Sequence, residues 1–580
     1  MAGTTLDLTQ IIDADTLASS IADKWTTWDA YRQQKVEEWK ELRNYLYATD
    51  TTTTSNAILP WSNNTTTPKL TQIMDNLHAN YFAAMFPTSN WFRWEAMDQS
   101  ANTKQKKQAI NSYMKTKLRQ SKFINTVSDL LYDYIQYGNC FAMVKYEDNF
   151  FERMDGDNIS GYTGPVLERI SPYDIVFDPT AADFTKTPKI IRSVVTLGEL
   201  HKMAKNNPDM EATLMKMLDA RQSVSRAGGD GNISKAEGFI ADGFGSITNY
   251  YNSNYVEILT FYGDIYDVES GDLHVNKEIT IVDRAYVVSN KDNQSWLGHA
   301  PIFHAGWRPR PDNLYAMGPL DNLVGMQYRI DHLENLKADV FDQIAYPILK
   351  IRGDVPDFEF EPNARIYLGD EGDVNYLAPD ATALNADTQI AILEAKMEEM
   401  AGAPKQAMGF RTAGEKTAFE VQALDNAANR IFAHKTANFD RTFIEPVLNA
   451  MLEVARRNIK TLETIRVTEE SDTKAIFKTI KREDILGNGS LIPMGSRHFT
   501  ERAQRIQNLM QLYQVKAADP SVAPHLSGKA LARILAEELG EVDIYSENIA
   551  IFEQAETQQA LEEIQVQMEE QRQIAIDEGL

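Results

Sequence analysis

The run from Pro319 to Tyr346, PLDNLVGMQYRIDHLENLKADVFDQIAY, dictates much of the architecture open to this chain. Leu323, Ile330, Leu333, Leu336, Val340 and Ile344 recur at helical spacing, with Arg329, His332, Asp339 and Asp342 on other faces. At 1.5 Å per residue the helix spans roughly 40 Å, and Pro347 stops it. The segment 347–386 then carries short strand patterns between turn residues, PILKIRGDVPDFEFEPNARIYLGDEGDVNYLAPD. Asn385 caps a return helix in which Ile390, Leu393, Met397 and Met400 share a face. Two helices bracketing a small β-rich insertion read as an antiparallel stalk with a cap at its far end.

Upstream the periodicity is mixed. Trp25, Trp28, Tyr31, Val36, Trp39, Leu42, Tyr45 and Leu46 form one helical stripe that docks on the rest of the fold or on a neighbouring subunit. Glu37, Glu38 and Glu41 argue against a membrane-surface helix. A polar loop, TDTTTTSNAILPWSNNTTTPK, precedes a second helix with Leu70, Ile73, Leu77 and Tyr81 on one side, ending before Pro87. Trp91-Phe92-Arg93-Trp94 alternates like a buried strand; a base-stacking platform is disfavoured because no basic groove is evident in its flanks. Residues 104–137 read as one helical run ending at Gly138. Strand patterns follow in CFAMVKYE, VLERISPYDIVFDP, KIIRSVVTL, YVEILTFYGDIYD and EITIVDRAYVVSN. Thr196 and Glu199 make a capping box, and RAGGDGNISKAEGFIADGFGS is a surface loop. The fold class is α+β.

Downstream, AGAPKQAMGFRTAGEK is a loop ending at Thr417, which with Glu420 makes a second capping box. The helix begun there runs toward Asn458, with a kink or break at Pro446. Short strands occupy 462–498, and the chain is helical from Thr500, ending in an acidic, Gln-rich tail after about Glu553.

Little here points to catalysis. Of 580 residues, 58 are Lys or Arg and 83 Asp or Glu, so the net charge of −25 excludes a surface that is basic throughout. The single cysteine, Cys140, excludes an intrachain disulfide and a Cys-based zinc finger, and its alternating, apolar context predicts a buried, unreactive thiol. Neither a signal peptide nor an apolar run of membrane-spanning length is apparent, and the chain reads as soluble and intracellular. GFRTAGEKT at 409–417 approaches a phosphate loop, but Glu415 intrudes before Lys416 and a helix, not a strand, precedes it. DGDNISG at 155–161 lacks the pattern of an EF-hand. The histidines show no ligand spacing, and His299 and His304 read as structural. No metal, cofactor or enzymatic activity is expected.

The order of parts resembles the portal, or head-to-tail connector, proteins of tailed bacteriophages, especially the short-tailed ones. The strings that carry it are SPYDIVFDP followed by IIRSVVTLGEL, then GPLDNLVGMQYRIDHLENLKADVFDQ, and GFRTAGEKTAFEVQ opening the long helix. The resemblance implies a wing at 1–318 and 417–498, stem helices at 319–346 and 387–402, a clip at 347–386, a tunnel loop at 403–416 and a helical crown at 499–580. It implies a ring of twelve copies at one capsid vertex, assembled in the host cytoplasm and retained in the virion. Its partners would be the major capsid protein, the terminase, the tail adaptor and the double-stranded DNA passing through, with no membrane. Lys405, Gln406, Arg411 and Lys416 would face DNA in the tunnel loop, although the three bases serve equally well as intersubunit salt bridges. Arg352, Asp354, Asp357, Glu359, Glu361 and Arg365 would meet terminase and adaptor at the clip. The alternatives are an acidic intracellular scaffold or adaptor that forms no portal and, third, a nucleic-acid enzyme.

Overall fold

The computed structural model describes residues 5–8, 14–58, 63–87, 91–97, 103–152, 158–204, 211–217, 255–346, 348–353, 372–377, 385–401, 432, 434–459, 463–467, 476–494, 509, 510, 512 and 534. The chain divides into two compact units, Met1–Gly495 and Ser496–Leu580, and every labelled element belongs to the first. It is mixed helix and strand, as an α+β class requires.

After strand β1 (Thr5–Leu8), helix α1 (Ala14–Tyr47) buries its stripe within its own chain. Tyr31 departs from that expectation and is 63% exposed. The core-facing slot one turn past Trp28 is filled instead by Arg32, 2% exposed, whose guanidinium donates to the carbonyls of Ile175 (2.9 Å) and Tyr173 (2.6 Å). A buried cation is tolerated there because backbone acceptors replace its hydration.

Helix α2 (Lys69–Met85) buries Leu70, Ile73, Leu77 and Tyr81, and strand β2 (Phe92–Ala96) follows with Phe92 and Trp94 inward. The expected helix over 104–137 is two helices, α3 (Thr103–Gln120) and α4 (Phe123–Gln136). Lys122 breaks it in a left-handed conformation, φ 55°, at a cost of about 1–2 kcal/mol for a non-glycine residue. The break re-aims Phe123, Val127, Leu130, Leu131 and Tyr134 into the largest core.

Strands β3 (Asn139–Glu152), β4 (Asn158–Ile170), β5 (Ile175–Phe177) and β6 (Lys189–Thr196) precede helix α5 (Leu197–Ala204). The capping box forms as expected: Glu199 N–H donates to Thr196 Oγ1 (3.2 Å) and Thr196 N–H to Glu199 Oε2 (3.0 Å). Then come β7 (Tyr255–Asp267), β8 (Leu273–Val282), β9 (Tyr286–Asp292), β10 (Ile302–Gly306), β11 (Arg308–Arg310) and β12 (Asn313–Met317). EITIVDRAYVVSN is therefore not one strand but the end of β8, a turn and β9. Asp283 (φ 50°) and Arg284 (φ 58°) supply the positive dihedrals of a primed hairpin turn, and Arg284 is anchored on Glu257 at 2.8 Å.

The principal sheet runs β5-β6-β7-β8-β9, antiparallel throughout, with β1 added parallel to the end of β7. Leu17, Ile21 and Trp25 of α1 cover one face, meeting Leu259, Phe261 and Ile281. Leu200 of α5, with Leu214 and Met217, covers the other, meeting Val256, Ile258 and Val282. A second sheet, β10-β3-β4, packs on α4.

Helix α6 (Val324–Ala345) leads into the β13 (Ile348–Arg352) and β14 (Asp373–Leu377) hairpin, and α7 (Asp387–Ala401) returns. Asn385 stands in a 3-10 turn two residues before α7 rather than directly at its start. Residues 434–439 are helical, a π-turn occupies Asp440–Ile444, and α8 (Glu445–Asn458) has Pro446 in its first turn. The expected irregularity at Pro446 takes this form because proline offers no N–H and its ring crowds the carbonyl four residues back. Strands β15 (Glu463–Val467) and β16 (Ile476–Ile480), helix α9 (Arg482–Ile485) and strand β17 (Gly489–Pro493) complete the unit, β17 pairing antiparallel with β2.

Candidate functional site

The helical hairpin α6–β13–β14–α7 is rooted where the backbone passes between Gly138 and Gly318. A Cβ on Gly138 (φ 69°) would lie 2.4 Å from Gly318 N, so no side chain fits. Beside it, Asn139 donates Nδ2–H to Tyr137 O and Ala316 O, both 3.0 Å, and accepts Ala316 N–H at 2.8 Å. That fixes the amide orientation, so His304 Nε2 donates to Asn139 Oδ1 (3.0 Å). Phe141 stacks on the imidazole and Phe184 crowds it; burial lowers the His304 pKa to about 3, and the ring stays neutral. Asp321 ties the root to α1, accepting from Lys35 Nζ (2.6 Å) and Gly318 N–H (3.1 Å).

One face of α6 carries Gln327, Asp331, Asn335 and Asp339, four residues apart, and grips segment 63–70, the irregular approach to α2 and its first two residues, through hydrogen bonds. Gln327 Oε1 accepts Leu70 N–H (3.2 Å) and Nε2 donates to Thr67 O (2.5 Å). Asp331 accepts Thr67 N–H (3.0 Å), Thr66 Oγ1–H (2.8 Å) and Gln327 Nε2–H (2.8 Å). Asn335 accepts Thr65 N–H and donates to Thr65 O, each at 2.8 Å. Asp339 accepts Asn63 N–H at 2.8 Å. Burial raises the Asp331 pKa despite the three donors that favour its ionised form.

The apolar stripe of α6 is only half used. Leu323 and Ile330 are fully buried, Val340 nearly so, and Leu333 packs partly buried against the core, while Leu336 and Ile344 are exposed. Beyond them Phe341 (63% exposed), Tyr346 (85%), Ile348 and Leu377 face outward as well. In α7, Ile390 and Met397 are buried but Met400 is exposed, contrary to the expected shared face. The two helices run antiparallel: Lys337 Nζ contacts Asp387 Oδ1 (2.5 Å) at the start of α7. Near its end, Glu398 accepts from buried Lys69 Nζ (2.7 Å), beside the base of α6. Two antiparallel helices thus flank the β13–β14 pair, and several apolar side chains on them are uncovered in the single chain.

Arg352 is exposed at the end of β13, opposite Asp373. Asp354, Asp357, Glu359, Glu361 and Arg365 lie outside the described residues, as do Lys405, Gln406, Arg411, Lys416 and the Thr417–Glu420 box. The near phosphate loop at 409–417 lies outside them too, although the element before it is helix α7, as expected. Cys140 is buried and its thiol pKa is pushed well up by burial. Among the described residues no group of His, Cys, Asp and Glu could hold a metal, and no helix is long and apolar enough to cross a membrane. The polar ladder was not anticipated from sequence. Its signal was present, uncharged or acidic polar side chains at i, i+4, i+8 and i+12 along one line of the helix, with a Thr- and Asn-rich segment elsewhere to receive them. No known protein family matches this chain, and no curated protein matches it.

Proposed function

We propose that this chain is a portal protein of the short-tailed phage type, a ring of about twelve copies that passes double-stranded DNA and docks the terminase and then the tail adaptor. The observation that carries this reading is the antiparallel pair α6 and α7, joined through a β-hairpin, with Leu336, Phe341, Ile344, Tyr346, Ile348 and Leu377 uncovered. A surface of that kind calls for neighbours, and a heterologous contact that closes on itself produces a ring. In this reading α6 and α7 are the stem, β13 and β14 belong to the clip, the α+β body is the wing, and the C-terminal segment is the crown. The ring would sit at a capsid vertex against the major capsid protein. An excess of carboxylates suits a conduit, since it denies DNA the counterion-release gain that would hold it in place.

The test is the mass of the purified full-length protein by native mass spectrometry, with particle images as a second view. Twelve copies of 65.6 kDa give about 790 kDa and an annular projection. A monomer or small oligomer across a wide range of concentration and salt would favour the acidic scaffold or adaptor instead.

A further inference from the structure

Between Asp98 and Asp129 the chain holds no carboxylate side chain, yet it carries Lys104, Lys106, Lys107, Lys115, Lys117, Arg119 and Lys122. In a protein of charge −25 this is a local reversal of sign, and it coincides with α3. At least three of the bases, Lys106, Lys115 and Lys117, have partners within the chain. Lys117 is buried and donates to Thr163 O, and Lys106 Nζ donates to Leu486 O at 2.7 Å. The rest of the helix is sorted with unusual purity. Its exposed described positions are Gln105, Lys107, Gln108, Lys115, Arg119 and Gln120, with exposed Lys122 just after its end.

We infer that this face of α3 is a binding surface for the phosphodiester backbone of duplex DNA. Lys107, Lys115 and Arg119 fall within about a third of the helix circumference, over roughly 18 Å along the axis. One strand of B-DNA presents a phosphate about every 3.4 Å of axis, so a stripe of that length can meet several in sequence. The chemistry favours a phosphate backbone over an acidic protein segment. A protein interface needs an apolar or aromatic anchor at its centre, and α3 exposes none among its described positions. Phosphate contact needs only cations and amide donors, which is what this face offers. The site reads no sequence, since contacts to phosphates carry no information about the bases. It also does not require the ring proposed above.

The experiment is fluorescence anisotropy of the full-length protein with a 30-base-pair duplex, comparing wild type with the combined variant Lys107→Gln, Lys115→Gln, Arg119→Gln, Lys122→Gln. Four contacts predict that wild-type affinity falls about 100-fold between 50 and 200 mM salt. The variant should bind at least tenfold more weakly at 100 mM salt and lose most of that salt dependence, with unchanged melting temperature. If the fourfold variant folds poorly, Lys107→Gln and Arg119→Gln singly should each lower the salt slope by about one. Binding should survive Lys405→Gln, Arg411→Gln and Lys416→Gln together. Equal binding by wild type and variant would overturn the proposal, as would displacement of the duplex by polyglutamate at matched charge. Native mass on the same samples reports the ring separately, so either reading can fail while the other stands.

Discussion

The α+β body encloses mostly aromatic and aliphatic side chains, whereas helix α6 buries a ladder of polar side chains beside its apolar ones. In the body, the sheet faces and α1 enclose Trp25, Trp39, Phe141, Phe177 and Phe261, and charged groups taken inside are paired, Arg32 with backbone carbonyls and Arg192 with Asp174. On α6, Gln327, Asp331 and Asn335 are buried, while Leu336, Phe341 and Ile344 face out. The hairpin is held by hydrogen bonds along one side and left hydrophobic along another, which is how an element behaves when its packing is to be completed by something else.

The sharpest way to break this contrast is to make the outer side polar. Phe341→Ser, Ile344→Ser and Tyr346→Ser together should reduce any assembly to 65.6 kDa species on native mass spectrometry and leave the melting temperature of the dissociated chain nearly unchanged. An intact assembly would show that the exposed side is ordinary surface.

Acid separates the two regions by sign. His304 is held neutral down to about pH 3 in the body, whereas the unfolded ring protonates near 6.5, so the unfolded state binds the extra proton in between. That contribution to stability is therefore complete above about pH 6.5 and falls by up to about 1.4 kcal/mol per pH unit as pH drops toward 3. Asp331 behaves in reverse. Its folded pKa is raised, so its contribution is full below the unfolded value and is lost as pH rises through the folded one. Denaturant titrations of His304→Gln should show a shallower acid limb than wild type; an identical limb would remove His304 from the account.

Within the ladder, Asp331→Ala leaves Thr67 N–H and Gln327 Nε2 without their acceptor and should cost about 3 kcal/mol. Asp331→Asn keeps an acceptor and should stay within about 1 kcal/mol of wild type at pH 7. On the exposed side, Leu336→Ala should change the stability of the dissociated chain by only about 0.5 kcal/mol. Equal losses at the two positions would mean that α6 is not two-sided. The smallest effect belongs to Cys140, whose labelling by a thiol reagent should be negligible until the body unfolds.

Much of the body was legible because its periodicities are clean. The strand YVEILTFYGDIYD begins and ends as its pattern suggested, and the Thr196–Glu199 box forms. What was missed has physical causes. The α3–α4 break rests on a lysine in a left-handed conformation, with no glycine or proline to announce it. The β8–β9 turn is made by Asp283 and Arg284, and arginine is an uncommon residue for a primed turn. Hydrophobic spacing points Tyr31 inward, but Arg32 takes the slot, its carbonyl acceptors lying some 140 positions away and leaving no local trace. The hairpin site was half legible: its two helices and strands follow from pattern and punctuation. The ladder does not, since it is a contact between segments 63–70 and 327–339 that neither pattern contains alone.

Helix α1 threads three separate cores, with Leu17 to Trp28 under the principal sheet, Val36 and Trp39 among Tyr137, Tyr173 and Tyr315, and Leu42 to Leu46 in the largest. The consequence is one of timing. The helix is made before the strands that cover Trp25, which extend to β9, ending at Asp292. At about 5–20 residues per second, some 250 residues of further synthesis leave these indoles without their native cover for tens of seconds. The nascent chain therefore spends that interval as a client for any factor that shields aromatic surface, and its yield in a cell should respond to translation speed between α1 and β9.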